Sequence, residues 1–172
     1  FACIAPHAGD LIPETIADQN IVAPTRKSMY AMGSTLESLK PETVVIINPH
    51  GFRVQGVLSV SVAERATAYW ASDVKLDFEM DPTIANAIAD KATEMNVPVV
   101  KYIYGASSGP ECFVPLDWGA VVPLYFMGHR FTPKPKIVHC SPMRTLPLAT
   151  HYEFGRAIGR VLKESDKRIA FI

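Results

Sequence analysis

The run Val44-Val45-Ile46-Ile47 sets the tightest limit on the fold. Successive β-branched aliphatic residues have no polar face, so a strand built from them must be covered on both sides. Packed helices are the common cover for such a sheet, and the flanking sequence offers them. Met29, Met32, Leu36 and Leu39 recur at helical spacing over residues 24–39, with Pro24 tolerated in the first turn and Lys40-Pro41 as the stop. Asp81-Pro82 forms a cap and first-turn pair ahead of Ile84, Ile88, Ala92 and Met95. Thr150 and Glu153 match a capping box before Phe154, Ile158, Val161 and Leu162. Asp117 caps the apolar segment 119–127.

Further strands are expected between these helices. Residues 1–5 form a short buried strand, and 97–103 and 137–140 are two more. Leu58, Val60 and Val62 alternate with Ser59 and Ser61, and Val74, Leu76 and Phe78 alternate with Lys75 and Asp77. Each of these two strands should keep one wetter face. Residues 10–22 and the Gly-rich 104–110 are expected as loops, the second ordered by whatever binds near it. The final strand, 167–172, is expected to leave an apolar face uncovered. The fold class is a single-domain α/β sandwich with a mainly parallel or mixed central sheet flanked by helices, over residues 1–172. Its unfinished last strand suggests a domain that continues beyond Ile172.

Charge excludes some partners. Seventeen basic residues balance seventeen acidic ones in 172, with no basic run, so neither nucleic acid nor an anionic membrane surface is expected. No stretch has the ~20 apolar residues that span a bilayer. Cys3, Cys112 and Cys140 are odd in number and scattered, which fits free thiols and a cytoplasmic location.

The aliphatic run ends Asn48-Pro49-His50-Gly51, and the first residues end their own run Pro6-His7. Functional groups collect beyond the carboxyl ends of parallel strands. Two imidazoles there suit iron, zinc or copper better than magnesium or calcium. Spacing alone leaves open two metal ligands or two unrelated polar caps. His129 is expected to be solvated, His139 to be a satisfied core histidine, and His151 to lie in a first helical turn.

Several segments together resemble one family. Pro6-His7 with Leu11-Ile12-Pro13-Glu14, the strand ending Asn48-Pro49-His50-Gly51, and Leu116-Asp117-Trp118-Gly119 with Val122-Pro123-Leu124 are similar, in order, to signatures of class III extradiol ring-cleavage dioxygenases. Phe154-Gly155 with Ala157-Ile158, and the closing Arg168 to Ile172, also fit, so the likeness covers essentially the whole chain. The resemblance implies Fe(II) held by two histidines, matched here by His7 and His50, and by a glutamate. It implies a catecholic aromatic substrate opened with O₂, and is compatible with a homo-oligomer. Glu111 and Arg53 are further candidates for substrate binding, the latter for a carboxylate.

Two departures stand out. Trp118 occupies the place of the family's substrate-contacting histidine, and indole donates one hydrogen bond and accepts none. It could stack on an aromatic ring, although a core position is the plainer expectation. The family's glutamate ligand and catalytic histidine normally follow the strand at 167–172. They are expected beyond Ile172, or the third ligand comes from Asp10, Glu14, Glu111, Asp117 or a partner subunit. Two alternatives remain: a zinc-dependent hydrolase, whose ligands would be the same residue types, and a Memo-like metal-binding or redox-linked module without ring cleavage.

Overall fold

The structure, a computed structural model, describes residues 1–70 and 74–172. The aliphatic run is strand β1 (Thr43–Ile47), and it lies inside the main sheet. β1 pairs in parallel with β8 (Lys136–Ser141) on one side and β9 (Ile169–Phe171) on the other. Beyond β8 come β2 (Leu58–Ser61), antiparallel to it, and then β5 (Val99–Tyr102), which gives a mixed five-stranded sheet. The absent polar face of β1 is accounted for directly. Val44 and Ile46 belong to one apolar core and Val45 to the other, all at most 1% exposed.

The second core is closed by α2 (Pro82–Glu94) and α4 (Leu148–Glu164). Asp81 caps α2 by accepting the Ile84 N–H, as the Asp-Pro pair foretells. The first core lies between the sheet, α1 (Ala23–Ser38), α3 (Trp118–Phe126) and a second sheet. That sheet has the order β4-β3-β7-β6, from β3 (Arg65–Trp70), β4 (Val74–Glu79), β6 (Tyr104–Gly105) and β7 (Cys112–Pro115). It was not foreseen, because β6 and β7 are short and one of them begins in the Gly-rich 104–110 stretch. β4 keeps the expected wet face, alternating buried and exposed along its length.

Four expectations are corrected. β2 has no wet face: it runs between two strands, and Ser59 satisfies its hydroxyl on the Phe52 carbonyl at 2.7 Å. Residues 1–5 form no buried strand; Ala2 makes a single bridge to Phe171, while Ile4 is 97% exposed. Thr150 caps nothing, since α4 begins at Leu148 after Pro147 and Thr150 already lies within it. β9 is not bare, because Ala170 packs into the first core while Ile169 and Phe171 pack against the second. Among the described residues no helix is long and apolar enough to cross a membrane.

Candidate metal and aromatic-binding site

β1 stops where Pro49 removes the N–H that a ladder would need. Asn48 still joins the sheet, its N–H reaching the Cys140 carbonyl at 3.4 Å, and its side chain accepts the His50 N–H at 2.8 Å. His50 is thereby held at the tip of β1, an inner strand of the sheet, half-buried. His7 comes on the arm that follows the Ala2 bridge, which is parallel to β9 and so to β1. The two rings meet edge to face, centroids 5.3 Å apart and planes at 69°. Residues distant in sequence thus converge at the carboxyl end of β1.

The remaining wall is aromatic. Trp118 is the first residue of α3, and its ring lies 4.2 Å from that of His50 at 40°. Trp70 continues the row, 6.4 Å from Trp118 and packed against Gly9. Trp118 is 41% exposed, so it is no core residue: the α3 N-terminus opens onto a cleft rather than into the sandwich. That cleft has a volume of about 560 Å³, within the range of small-molecule sites. Among its lining residues are His50, Phe52, Arg53, Tyr102, Tyr104 and Trp118. Phe52 stacks on Tyr102 with centroids 4.4 Å apart.

Gly119 makes this approach feasible. A Cβ there would come within 2.9 Å of both the Asp117 Oδ1 and the His50 ring, and 3.0 Å of the Asn48 Oδ1. Only glycine lets α3 start so close to the β1 tip. Asp117 Oδ1 accepts the Gly119 N–H at 2.7 Å, while its Oδ2 is buried with no hydrogen-bond partner among the described residues.

The expected site residues divide. His7, His50 and Trp118 come together, and Arg53 lines the same cleft, its guanidinium donating to the Pro49 carbonyl. Glu111 does not line it. The turn between β6 and β7 carries Glu111 outward, exposed, with its carbonyl taking the Ala106 N–H. Glu14 is committed elsewhere, both carboxylate oxygens accepting from the Tyr125 hydroxyl at 2.9 and 3.0 Å. Tyr125 answers to that contact, since burial and the adjacent carboxylate both push its pKa up. Asp10 is exposed. Among the described residues no group of three His, Cys, Asp or Glu side chains is placed to hold a metal ion. The donor set present therefore fits two positions of a histidine-rich site.

The other histidines fall as follows. His139 is fully buried, as expected of a core histidine. His129 is not solvated as expected: it is half-buried beside the Tyr125 ring, and burial lowers its pKa. His151 lies in the first turn of α4, as expected, its Nδ1 3.1 Å from the Pro147 carbonyl. Sequence reasoning missed Asn48, Tyr102 and Arg26. The first was visible as part of Asn-Pro-His; the other two carry no local signal.

Comparison with known proteins points one way. Residues 2–172 match the family described as the catalytic LigB subunit of aromatic ring-opening dioxygenase. A protein of Clostridium acetobutylicum, Protein CA_C1420, is 24% identical over 174 aligned residues, covering 98% of this chain. The chain spans 37% of the length of that relative.

Proposed function

The chain belongs to the family of the catalytic LigB subunit of aromatic ring-opening dioxygenase, and we propose that it supplies the two-histidine half of an iron(II) site that opens a catecholic ring with O₂. The observation that carries the reading is the convergence of His7 and His50 at 5.3 Å beside an aromatic-lined cleft. Two imidazoles with open positions opposite them suit non-haem iron. Iron(II), when bound, brings a diol and O₂ together and mediates electron flow between them. The third, carboxylate ligand is proposed to come from polypeptide beyond Ile172 or from a partner subunit, residues 1–172 then being part of a larger catalytic domain.

The chain's own residues perform the rest. Trp118 gives the substrate ring a flat surface next to His50, and the Phe52–Tyr102 stack lines the same cleft. Stacking of this kind contributes about 0.5 to 1.5 kcal/mol per pair beyond its buried area. Arg53 is the cation available for a substrate carboxylate, for which its planar guanidinium is suited. Trp118 accepts no proton, so the base that takes a hydroxyl proton is another group. The three cysteines are free, in keeping with the cytoplasmic location proposed for the protein.

The test is oxygen uptake by the full-length protein with a panel of catechols, loaded with iron(II) or with zinc. Ring-opened product with iron and none with zinc supports the reading; hydrolysis by the zinc form would replace it. The competing reading is a Memo-like metal-binding module, which the indole at position 118 fits no better than it fits a dioxygenase. Tight metal binding without turnover of any diol would establish that instead.

A further inference from the structure

Behind the His50 turn runs a buried polar chain that metal binding as described above does not use. Asn48 is 1% exposed and its Oδ1 accepts the His50 N–H. That bond assigns the amide: with oxygen toward His50, the NH₂ faces inward to Nε2 of His139, 2.5 Å away. A ring nitrogen that accepts cannot carry the proton, so neutral His139 is protonated at Nδ1. From there it donates to the Tyr102 hydroxyl at 3.0 Å. Burial, only partly opposed by Asp117, drives His139 down to about 4, so the neutral ring is the form present at neutral pH.

A second contact ties the same histidine to the same turn. Gly51, directly after His50, has φ +81°, and a Cβ there would lie 2.8 Å from His139 Cε1 and closer still to Ser141 Oγ. His139 therefore packs against the turn as well as bonding to its anchor.

We propose that Asn48 is a positioning residue for His50, and that His139, held between Asn48 and Tyr102, fixes the direction of the Asn48 amide. A reversed amide would set NH₂ against the His50 N–H, donor facing donor. The Nδ1–H tautomer excludes that reversal, because it leaves Nε2 able only to accept. Tyr102 also lines the cleft and stacks on Phe52, so the chain joins the aromatic pocket to the strand tip that presents His50. The consequence for metal rests on the assignment of His50 as a ligand; the anchoring itself does not. Groups that orient a ligand from behind typically change metal affinity by about 10- to 100-fold when removed.

The test uses full-length, ¹⁵N-labelled protein, first metal-free and then titrated anaerobically with iron(II). Metal-free wild type should show His139 as the Nδ1–H tautomer and a slowly exchanging His50 amide. Asn48→Ala should speed that exchange about tenfold and weaken iron(II) binding by about 10- to 100-fold. Asn48→Asp keeps an acceptor for the His50 N–H and lets His139 move its proton to Nε2. It should recover most of both properties, which a merely space-filling role for Asn48 would not predict. Tyr102→Phe nearly conserves volume, leaves Nδ1–H without its acceptor, and should give mixed tautomers with a smaller rise in exchange. Should Asn48→Ala fail to fold, Tyr102→Phe decides on the same readouts.

An Nε2–H tautomer in wild type, unchanged His50 exchange in Asn48→Ala, or no recovery in folded Asn48→Asp would overturn the proposal. Wild type that takes up no iron(II) would sink the ligand assignment alone. The His50 exchange rates would then decide the positioning role by themselves.

Discussion

His7 and His50 reach one place on supports of different kinds. His50 follows β1, an inner strand of a five-stranded sheet, and its anchor, Asn48, is two residues away. His7 rides on an arm with a single β-bridge, Ala2 to Phe171, followed by 3₁₀ turns at Gly9–Leu11 and Pro13–Thr15. The shape of that arm is imposed from a distance by Arg26 in α1, which is 7% exposed. Its guanidinium donates to the carbonyls of Leu11, Asp10 and Gln19 at 2.8, 2.9 and 3.0 Å, and to the Gln19 side chain at 2.9 Å. A strand tip inherits its geometry from the ladder, whereas an irregular arm has to borrow it from a long-range charged clamp.

The strand-tip side should carry the larger pH dependence. Buried His139 stays neutral down to about 4, while an unfolded histidine takes up its proton near the ordinary value of about 6.5. The unfolded chain thus binds more protons between these limits, so stability rises with pH across that window and is lost as pH falls through it. The loss should approach roughly 3 kcal/mol at the acid end. Urea unfolding of the metal-free protein at stepped pH measures it, and His139→Gln, which does not titrate, should flatten the slope.

On the arm side, Arg26→Met should destabilise the protein by about 2 to 3 kcal/mol, because several carbonyls lose a charged donor. It should also weaken iron binding through His7 while leaving the His50 amide protected against exchange. Equal loosening of both histidines would erase the distinction between the two supports.

Gly119→Ala probes where the two sides meet the cleft. The added methyl presses on the His50 ring and Asn48 Oδ1, and overpacking of this kind costs about 1 to 3 kcal/mol. Thermal unfolding together with iron titration would show whether His50 moves before the fold fails. Smallest of all should be Trp118→His, within about 0.5 kcal/mol in stability for a site this exposed. Its effect should appear instead in catechol affinity and turnover; unchanged values for both would reduce Trp118 to packing.

How much of this was legible in the sequence follows the same division. The β1 strand, the Asp81 cap and the Pro49-His50 tip are local patterns, and each lies where the residues indicate, whereas Pro6-His7 meets His50 from an irregular arm rather than a strand end. The second sheet was hidden because β6 has two residues and β7 four, too few for alternation to register. β2 misled because buried serines look like a wet face in sequence, although Ser59 satisfies its hydroxyl on the Phe52 carbonyl and Ser61 accepts the Ala63 N–H. The Thr150 capping box had the right spacing in the wrong place, inside a helix that starts after Pro147. Arg26, His139 and Tyr102 act across long stretches of chain, and a single sequence holds no record of such partners.

Iron stoichiometry after anaerobic loading of the full-length protein tests the central claim most directly, in wild type, His7→Ala and His50→Ala side by side. The account predicts one iron per chain in wild type, its loss in both variants, and unchanged circular dichroism in all three. Stoichiometric iron retained by either folded variant would contradict it.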